Sequence, residues 1–227
     1  PPGGLPIVLY ADSHARQYYS ALAQRAGHGA LLSESACLSL PGISNMPPDE
    51  PGGMICKSLA DRLVALVHER QVKTVYWAER WERDVYNNES GRSLGNTAGA
   101  GQDELLAGVK RLALALPPGT RIVLIGNVPT AGVAGPQMAG GYYRCLAYIN
   151  ATCPVRYPVA QAEARSINAA LSALAHATPN FAWFDPVEIL CPRGQCLIVR
   201  RSDSIYADDT HLTPQSAREV VARLPLP

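Results

Sequence analysis

The chain has 227 residues, long enough for one α/β domain with a sizeable core, and its net charge of +1 with 17% charged residues excludes an acidic tail and an electrostatic footprint for nucleic acid. Hydrophobic residues make up 47%, which excludes a disordered composition, and no apolar run approaches the length of a membrane span. The opening Pro-Pro-Gly-Gly reads as a linker over residues 1–5, with residues 6–227 as a domain cut from a longer protein; no basic n-region precedes a signal-like core, so the segment is expected to be soluble as given.

The first element is the apolar run Ile7 to Tyr10, a buried parallel strand that stops at Ala11-Asp12-Ser13-His14. Residues 14–26 have helical composition and stop at Gly27 and Gly29, and a second strand is expected near Ala30 to Leu32. Residues 33–57, rich in Ser, Pro and Gly, read as a long irregular connection. Leu59, Leu63, Leu66 and Val67 then define one apolar helical face, with Ser58 as its N-cap. Lys73 to Ala78 is β-branched and aromatic, a third strand running out into Glu79-Arg-Trp-Glu-Arg83. Residues 84–101 read as loop, 103–116 as a helix ended by Pro117-Pro118-Gly119, and 121–126 as a fourth strand. Residues 127–157 again read as loop, 159–176 as an alanine-rich helix, and Phe181 to Asp185 as a fifth strand. Beyond a compact turn at 191–196 and a short strand at 197–199, the last helix has Thr213 as its cap and Pro214 at its first position.

Strands alternating with helices predict a three-layer α/β/α fold around a central parallel sheet, with the loops at 33–57, 79–101 and 127–157 on the carboxyl edge where such sheets bind ligands. Ser13 stands on that edge, at the end of the first strand. A hydroxyl nucleophile needs a base and a group to orient that base. Tyr206-Ala-Asp-Asp-Thr-His-Leu-Thr213 supplies both, with His211 as base and Asp208 as its orienter; Asp209 is the rival orienter. The opposing reading is a plain capping turn at 12–14 and a solvated acidic pair at 208–209.

Cys37, Cys56, Cys145, Cys153, Cys191 and Cys196 form no C-x2-C, which counts against a zinc ribbon. The even count with three sequence-adjacent pairs suggests disulfides 37–56, 145–153 and 191–196, and an oxidising compartment, although fifteen pairings are possible. Six buried thiols are the alternative. Gly91-Arg-Ser-Leu-Gly95 matches a nucleophile elbow but lacks the strand before it and the helix after it. Asn88-Glu-Ser90 and Asn150-Ala-Thr152 fit a glycosylation pattern that carries little weight by itself. His28, His68 and His176 have no ligand spacing; Trp77 and Trp183 fall within strand patterns and read as core.

These residues also carry a family likeness. Ala11-Asp12-Ser13-His14 resembles the block I G-D-S-H of SGNH (GDSL-like) hydrolases, whose domain is flavodoxin-like, and Asp208-Asp-Thr-His-Leu-Thr213 resembles their closing D-x-x-H-L-[ST]. The histidine after the serine, Ala78-x-Arg-Trp81 after strand three, and Leu-Cys-x4-Cys before the final motif are similar to SGNH domains fused to acyltransferase-3 membrane proteins. The resemblance implies Ser13 as nucleophile, His211 as general base and Asp208 as its partner. It implies no metal and no bound cofactor, an acyl donor that is usually acetyl, and a bacterial cell-surface polysaccharide as acceptor. The domain would be periplasmic, tethered to the inner membrane by a membrane acyltransferase domain in the same chain. A carbohydrate O-acetylesterase, or a glycan-binding module with a vestigial triad, are the alternatives.

The sequence departs from the family pattern in three places. Ala11 replaces the block I glycine. The block III G-x-N-D is absent, leaving Arg80 or a nearby amide, beside the Ser13 amide, as oxyanion donor, with an ion pair to Glu79 or Glu82 as the rival role for Arg80. Gly42 is the block II candidate, with Gly52 and Gly53 as competitors. His14 is a substrate-binding or packing residue, and Trp81 is the candidate sugar platform.

Overall fold

Five apolar residues in a row cannot alternate between core and solvent, so a strand made of them must be covered on both faces. A computed structural model of the chain describes residues 4–130, 155–162, 165–200 and 203–227. In it β1 (Ile7–Ala11) is buried along its whole length at the interior of a five-stranded sheet. Its companions are β2 (Ala30–Ser33), β5 (Thr74–Ala78), β8 (Arg121–Ile125) and β10 (Phe181–Phe184), in the order β10-β8-β5-β1-β2, every pairing parallel. The fold is thus the expected α/β one, a central parallel sheet flanked by helices.

The chain leaves β1 toward the β2 edge, then crosses back to β5 on the other side. That reversal opens a crevice at the carboxyl ends of β1 and β5, where open α/β sheets place their ligands. Helix α1 (Ser13–Ala26) leaves from this point and packs along the last helix, α6 (Pro214–Val221). Arg25 near the end of α1 donates to the carbonyls of Val221 and Leu224 at 2.7 and 2.6 Å, and the Gln17 side chain accepts from the Leu212 amide at 2.7 Å. Segments from the two ends of the chain are thereby held side by side. Helices α2 (Gly53–Arg70), α3 (Gln102–Ala115) and α4 (Arg165–Ala177) account for the remaining crossovers, and α5 (Val187–Leu190) follows β10.

The connections read as loop carry structure of their own. β3 (Ser39–Leu40) and β4 (Ile43–Ser44) form one hairpin, β6 (Asp84–Asn87) and β7 (Ser93–Asn96) another, and together they make a four-stranded antiparallel sheet. The Gly91 to Gly95 match lies on the second hairpin, outside any strand-to-helix turn. Helix α2 begins at Gly53, five residues before the expected cap, and the Ser58 hydroxyl donates backward to the Ile55 carbonyl at 2.9 Å. The short strand expected at 197–199 is divided between β11 (Gln195–Leu197), paired with β9 (Arg156–Pro158), and β12 (Val199–Arg200), paired with β13 (Asp203–Ser204). Thr213 caps α6 through the Ser216 amide, as its sequence predicts.

Disulfides join Cys37 to Cys56 and Cys191 to Cys196, while Cys145 and Cys153 lie outside the described residues. Trp77 is buried as expected, Trp183 is half-buried, and His28, His68 and His176 are exposed. Among the described residues no helix is long and apolar enough to cross a membrane.

Ala11 takes a φ of 133°, a region that side chains rarely adopt, at the point where β1 turns into the site. Such a residue costs about 1–3 kcal/mol. Ala11→Gly relieves that strain but gives up a buried methyl worth about 0.8 kcal/mol and gains about 0.5–1 kcal/mol of unfolded-chain freedom. The expected net result is an unchanged or slightly higher urea midpoint, and a clear fall would contradict a strained Ala11.

Candidate active site

Ser13 is the first residue of α1, and Asp12 is its N-cap, accepting from the His14 amide at 2.7 Å. This places the Ser13 hydroxyl and amide at the positive end of a helix. On the other side of the crevice, the segment after Tyr206 is pinched into a loop by a bridge between Tyr206 and Leu212 and by the Ala207 amide donating to the His211 carbonyl at 2.8 Å. Asp208 Oδ1 accepts from the amides of Thr210 and His211, each at 2.8 Å. Its other oxygen lies 2.8 Å from His211 Nδ1, and His211 Nε2 lies 2.8 Å from Ser13 Oγ. The three side chains form a continuous relay. Burial pushes the Asp208 carboxyl up, but the two amides and the His211 ring outweigh it and hold it below its ordinary range. The rival Asp209 is exposed.

The floor of the site is a clamp of buried charge. Asp12 is fully buried and pairs with the Arg83 guanidinium, and its Oδ2 also accepts weakly from the Arg80 amide at 3.4 Å. Arg83 in turn donates to the carbonyls of Arg80 at 3.0 Å and Ala36 at 3.3 Å. One arginine thus ties together the loops that follow β1, β2 and β5. Glu79 is buried beside them with its Oε2 unpartnered; burial, then the negative charge of Asp12, pushes its carboxyl well above the ordinary range, and Arg83 pulls it partly back.

Beside the relay lies a cleft of about 170 Å³ whose lining includes His14, Arg80, Asn96, Asn127 and Thr210, with Val128 as its apolar member. His14 packs against His211, ring centroids 4.7 Å apart. Burial pushes the His14 imidazole down to about 4; Asp12 opposes this, while His211, Arg83 and Arg80 add to it. The ring is therefore neutral at pH 7. Its folded value lies below the unfolded one, so between about pH 6.5 and pH 4 the unfolded chain binds a proton that the folded chain refuses, and stability is lost as the pH falls. The full effect is about 3 kcal/mol, and Glu79, raised by burial, acts in the opposite sense over its own range. His14→Gln is expected to flatten this acid loss in urea titrations at pH 7 and pH 4.5. An unchanged difference between the two pH values would contradict a buried neutral His14.

Sequence reasoning placed two residues wrongly and overlooked one. Trp81 is no sugar platform: it is fully buried, its Nε1 donating to the Ile125 carbonyl at 2.8 Å and its amide to Asn127 Oδ1 at 2.9 Å. Gly42 sits in the turn between β3 and β4, over Arg111 of α3, and does not line the cleft. Arg80 does line it. Asn127, just past β8, was overlooked; its backbone is gripped by the Asn168 side chain at 2.9 and 3.4 Å, and its side-chain carbonyl by Trp81, which leaves its amino group for the cleft. The signal that could have found it is the one that found Ser13, a polar residue at the carboxyl end of a parallel strand. Among the described residues no cluster of His, Cys, Asp and Glu is arranged to hold a metal ion.

A five-stranded parallel sheet in this order, flanked by helices, defines an α/β protein with a serine and a histidine facing each other at the carboxyl edge of the sheet. The family model for the SGNH domain (fused to AT3 domains) matches residues 1–225, and the chain belongs to that family. Among solved structures it is similar to the periplasmic domain of a lipopolysaccharide acetyltransferase from Salmonella ser. Paratyphi A, at 17% identity and a TM-score of 0.66, covering 98% of this chain and 83% of that one. It is also similar to a Streptococcus pneumonia structure that carries the name of a platelet activating factor, at 14% identity and a TM-score of 0.51, covering 97% and 82%. At these identities the likeness is one of fold. The comparison with curated proteins finds no match.

Proposed function

We propose that this domain is a serine-dependent O-acyltransferase that moves an acetyl group onto a hydroxyl of a bacterial cell-surface glycan. The observation that carries the reading is the unbroken relay of two 2.8 Å contacts from Ser13 Oγ through His211 to Asp208. Ser13 Oγ attacks the acyl carbonyl while His211 Nε2 takes its proton, and the tetrahedral intermediate expels the donor's leaving group, which receives that proton. The acceptor hydroxyl then gives its proton to His211 and attacks the acyl-serine; the ester bond breaks and Ser13 recovers its hydrogen. The Ser13 amide at the head of α1 and the Arg80 guanidinium are the donors to the developing oxyanion. No step calls on a metal or a bound cofactor.

The family's description as fused to AT3 domains supports a membrane acyltransferase domain in the same protein as the source of the acyl group. The similarity to a periplasmic domain, together with two disulfides, supports an extracytoplasmic location. A second reading, a carbohydrate O-acetylesterase, is favoured by the openness of the relay, since the Asp208 side chain is 57% exposed and that of His211 28%. An activated acetyl ester separates the two when surface polysaccharide is added. A transferase diverts product from free acetate to acetylated glycan, whereas an unchanged acetate yield favours the esterase.

A further inference from the structure

The relay uses His211 and leaves the neighbouring imidazole of His14 unemployed. His14 is only 5% exposed, yet it belongs to the lining of the cleft. Its Nδ1 is buried without a hydrogen-bond partner, and neither ring nitrogen is engaged by another described residue. Buried polar atoms are ordinarily paired, so one that is not calls for a water, an ion or a functional role to account for it. Nε2 is not among the enclosed unpaired atoms, so it is the nitrogen that the cleft can reach. A neutral imidazole offers one N–H and one lone pair, which is the complement of a hydroxyl group, itself both donor and acceptor.

The rest of the lining agrees with a hydroxylated guest. Asn127, held by Trp81 and Asn168, supplies an amide N–H, and Arg80 and Glu82 add charged groups, while the Asn96 amide already meets Asp84 and Ala98 and the Thr210 hydroxyl lies within reach of Asp208 and His211. With Val128 as its apolar member, the cleft suits a sugar ring better than a long acyl chain. Spacing supplies the last step. His211 Nε2 must receive the proton of the hydroxyl that is acylated, and the His14 ring stands beside it at a centroid distance of 4.7 Å. Two imidazoles side by side meet two hydroxyls on neighbouring carbons.

Resting on the acyl-transfer reading above, we propose that His14 determines acceptor specificity: it hydrogen-bonds the hydroxyl adjacent to the one acylated, so the site takes vicinal diols of a sugar ring in preference to isolated alcohols. The transfer step balances as before. The acylated oxygen loses its proton to His211, Ser13 regains one, and the hydroxyl held by His14 keeps its own.

The test is an acceptor competition with 4-nitrophenyl acetate as donor, comparing methyl glycosides of glucose, galactose, mannose and rhamnose with cyclohexanol, a ring alcohol lacking a neighbouring hydroxyl. The measured quantity is acetyl transferred relative to acetate released. The native domain is expected to favour at least one glycoside over cyclohexanol. His14→Phe should lower that glycoside's ratio by about three- to tenfold, the worth of one neutral hydrogen bond, while the cyclohexanol ratio moves much less. His14→Gln, which restores a polar atom near the position of Nε2, should recover part of the difference. An equal fall for both acceptors in His14→Phe would make His14 a packing residue, and an undiminished glycoside preference would remove it from recognition; either result overturns the inference alone. Failure of the native domain to acylate any alcohol would overturn the transfer reading, and this inference with it.

Discussion

Replacing Ser13 with alanine is expected to lower turnover of an activated acetyl ester by on the order of 10⁴-fold or more while leaving the domain folded. The two halves of that expectation have separate causes. The hydroxyl supplies the bond-forming oxygen, and neither His211 nor water at the same place substitutes for it. Among the described residues its one hydrogen-bond partner is His211, and the cap of α1 is made by Asp12, so alanine removes chemistry without removing a described structural contact. Asp208→Asn should lose less, because the His211 base remains in place and Asp208 is largely open to solvent. Rates from initial-velocity assays, paired with thermal unfolding of each variant, check both halves. A loss of less than about tenfold for Ser13→Ala would leave no role for the relay.

The second large effect is expected at Asp12. It is fully buried, and the Arg83 side chain that faces it is 14% exposed, so removing the carboxylate strands a guanidinium in a poorly solvated place. Breaking such a pair from one side costs about 3–5 kcal/mol, and Asp12→Ala also loses the α1 cap, typically about 1 kcal/mol. Asp12→Asn keeps an oxygen for the His14 amide and should be less damaging. Because Arg83 also holds the carbonyls of Arg80 and Ala36, the loops after β2 and β5 lose their tie to the loop after β1, and activity should fall together with stability. Urea unfolding of the two variants is the measurement. A loss below about 1 kcal/mol for Asp12→Ala would mean that the pair is solvated and the clamp ineffective.

The parts of the molecule legible in its sequence are those governed by local pattern. The apolar run of β1, the Thr213-Pro214 start of α6 and the regular alternation of strands with helices depend on neighbours within a turn or two. Ser13 and His211 were legible because the carboxyl edge of a parallel sheet and the turn before a capped helix are positions with a known chemical use.

What escaped was set by distant partners. Ile43 of β4 pairs with Asn87 of β6, and two-residue strands flanked by Pro, Gly and Asn show no alternation that could have announced them. The start of α2 carries no side-chain cap; Cys56, disulfide-bonded to Cys37, lies within its first turn and packs that turn against the β3 segment. Trp81 looked exposed because Arg80, Glu82 and Arg83 surround it in sequence. Its burial comes from hydrogen bonds to β8 and to Asn127, more than forty residues away, a relation that no local window contains. Asn127 was hidden for the complementary reason: it opens a stretch read as loop, and its importance rests on Asn168 of α4.

The most direct trial is to rapidly quench the native domain during turnover of an activated acetyl ester and map the acyl group by peptide mass spectrometry. Modification of the peptide containing Ser13, absent from Ser13→Ala and chased off by nucleophilic acceptors, is the result required here. Steady product formation with the label on any other residue, or with no covalent label in a burst that should reveal one, would contradict it.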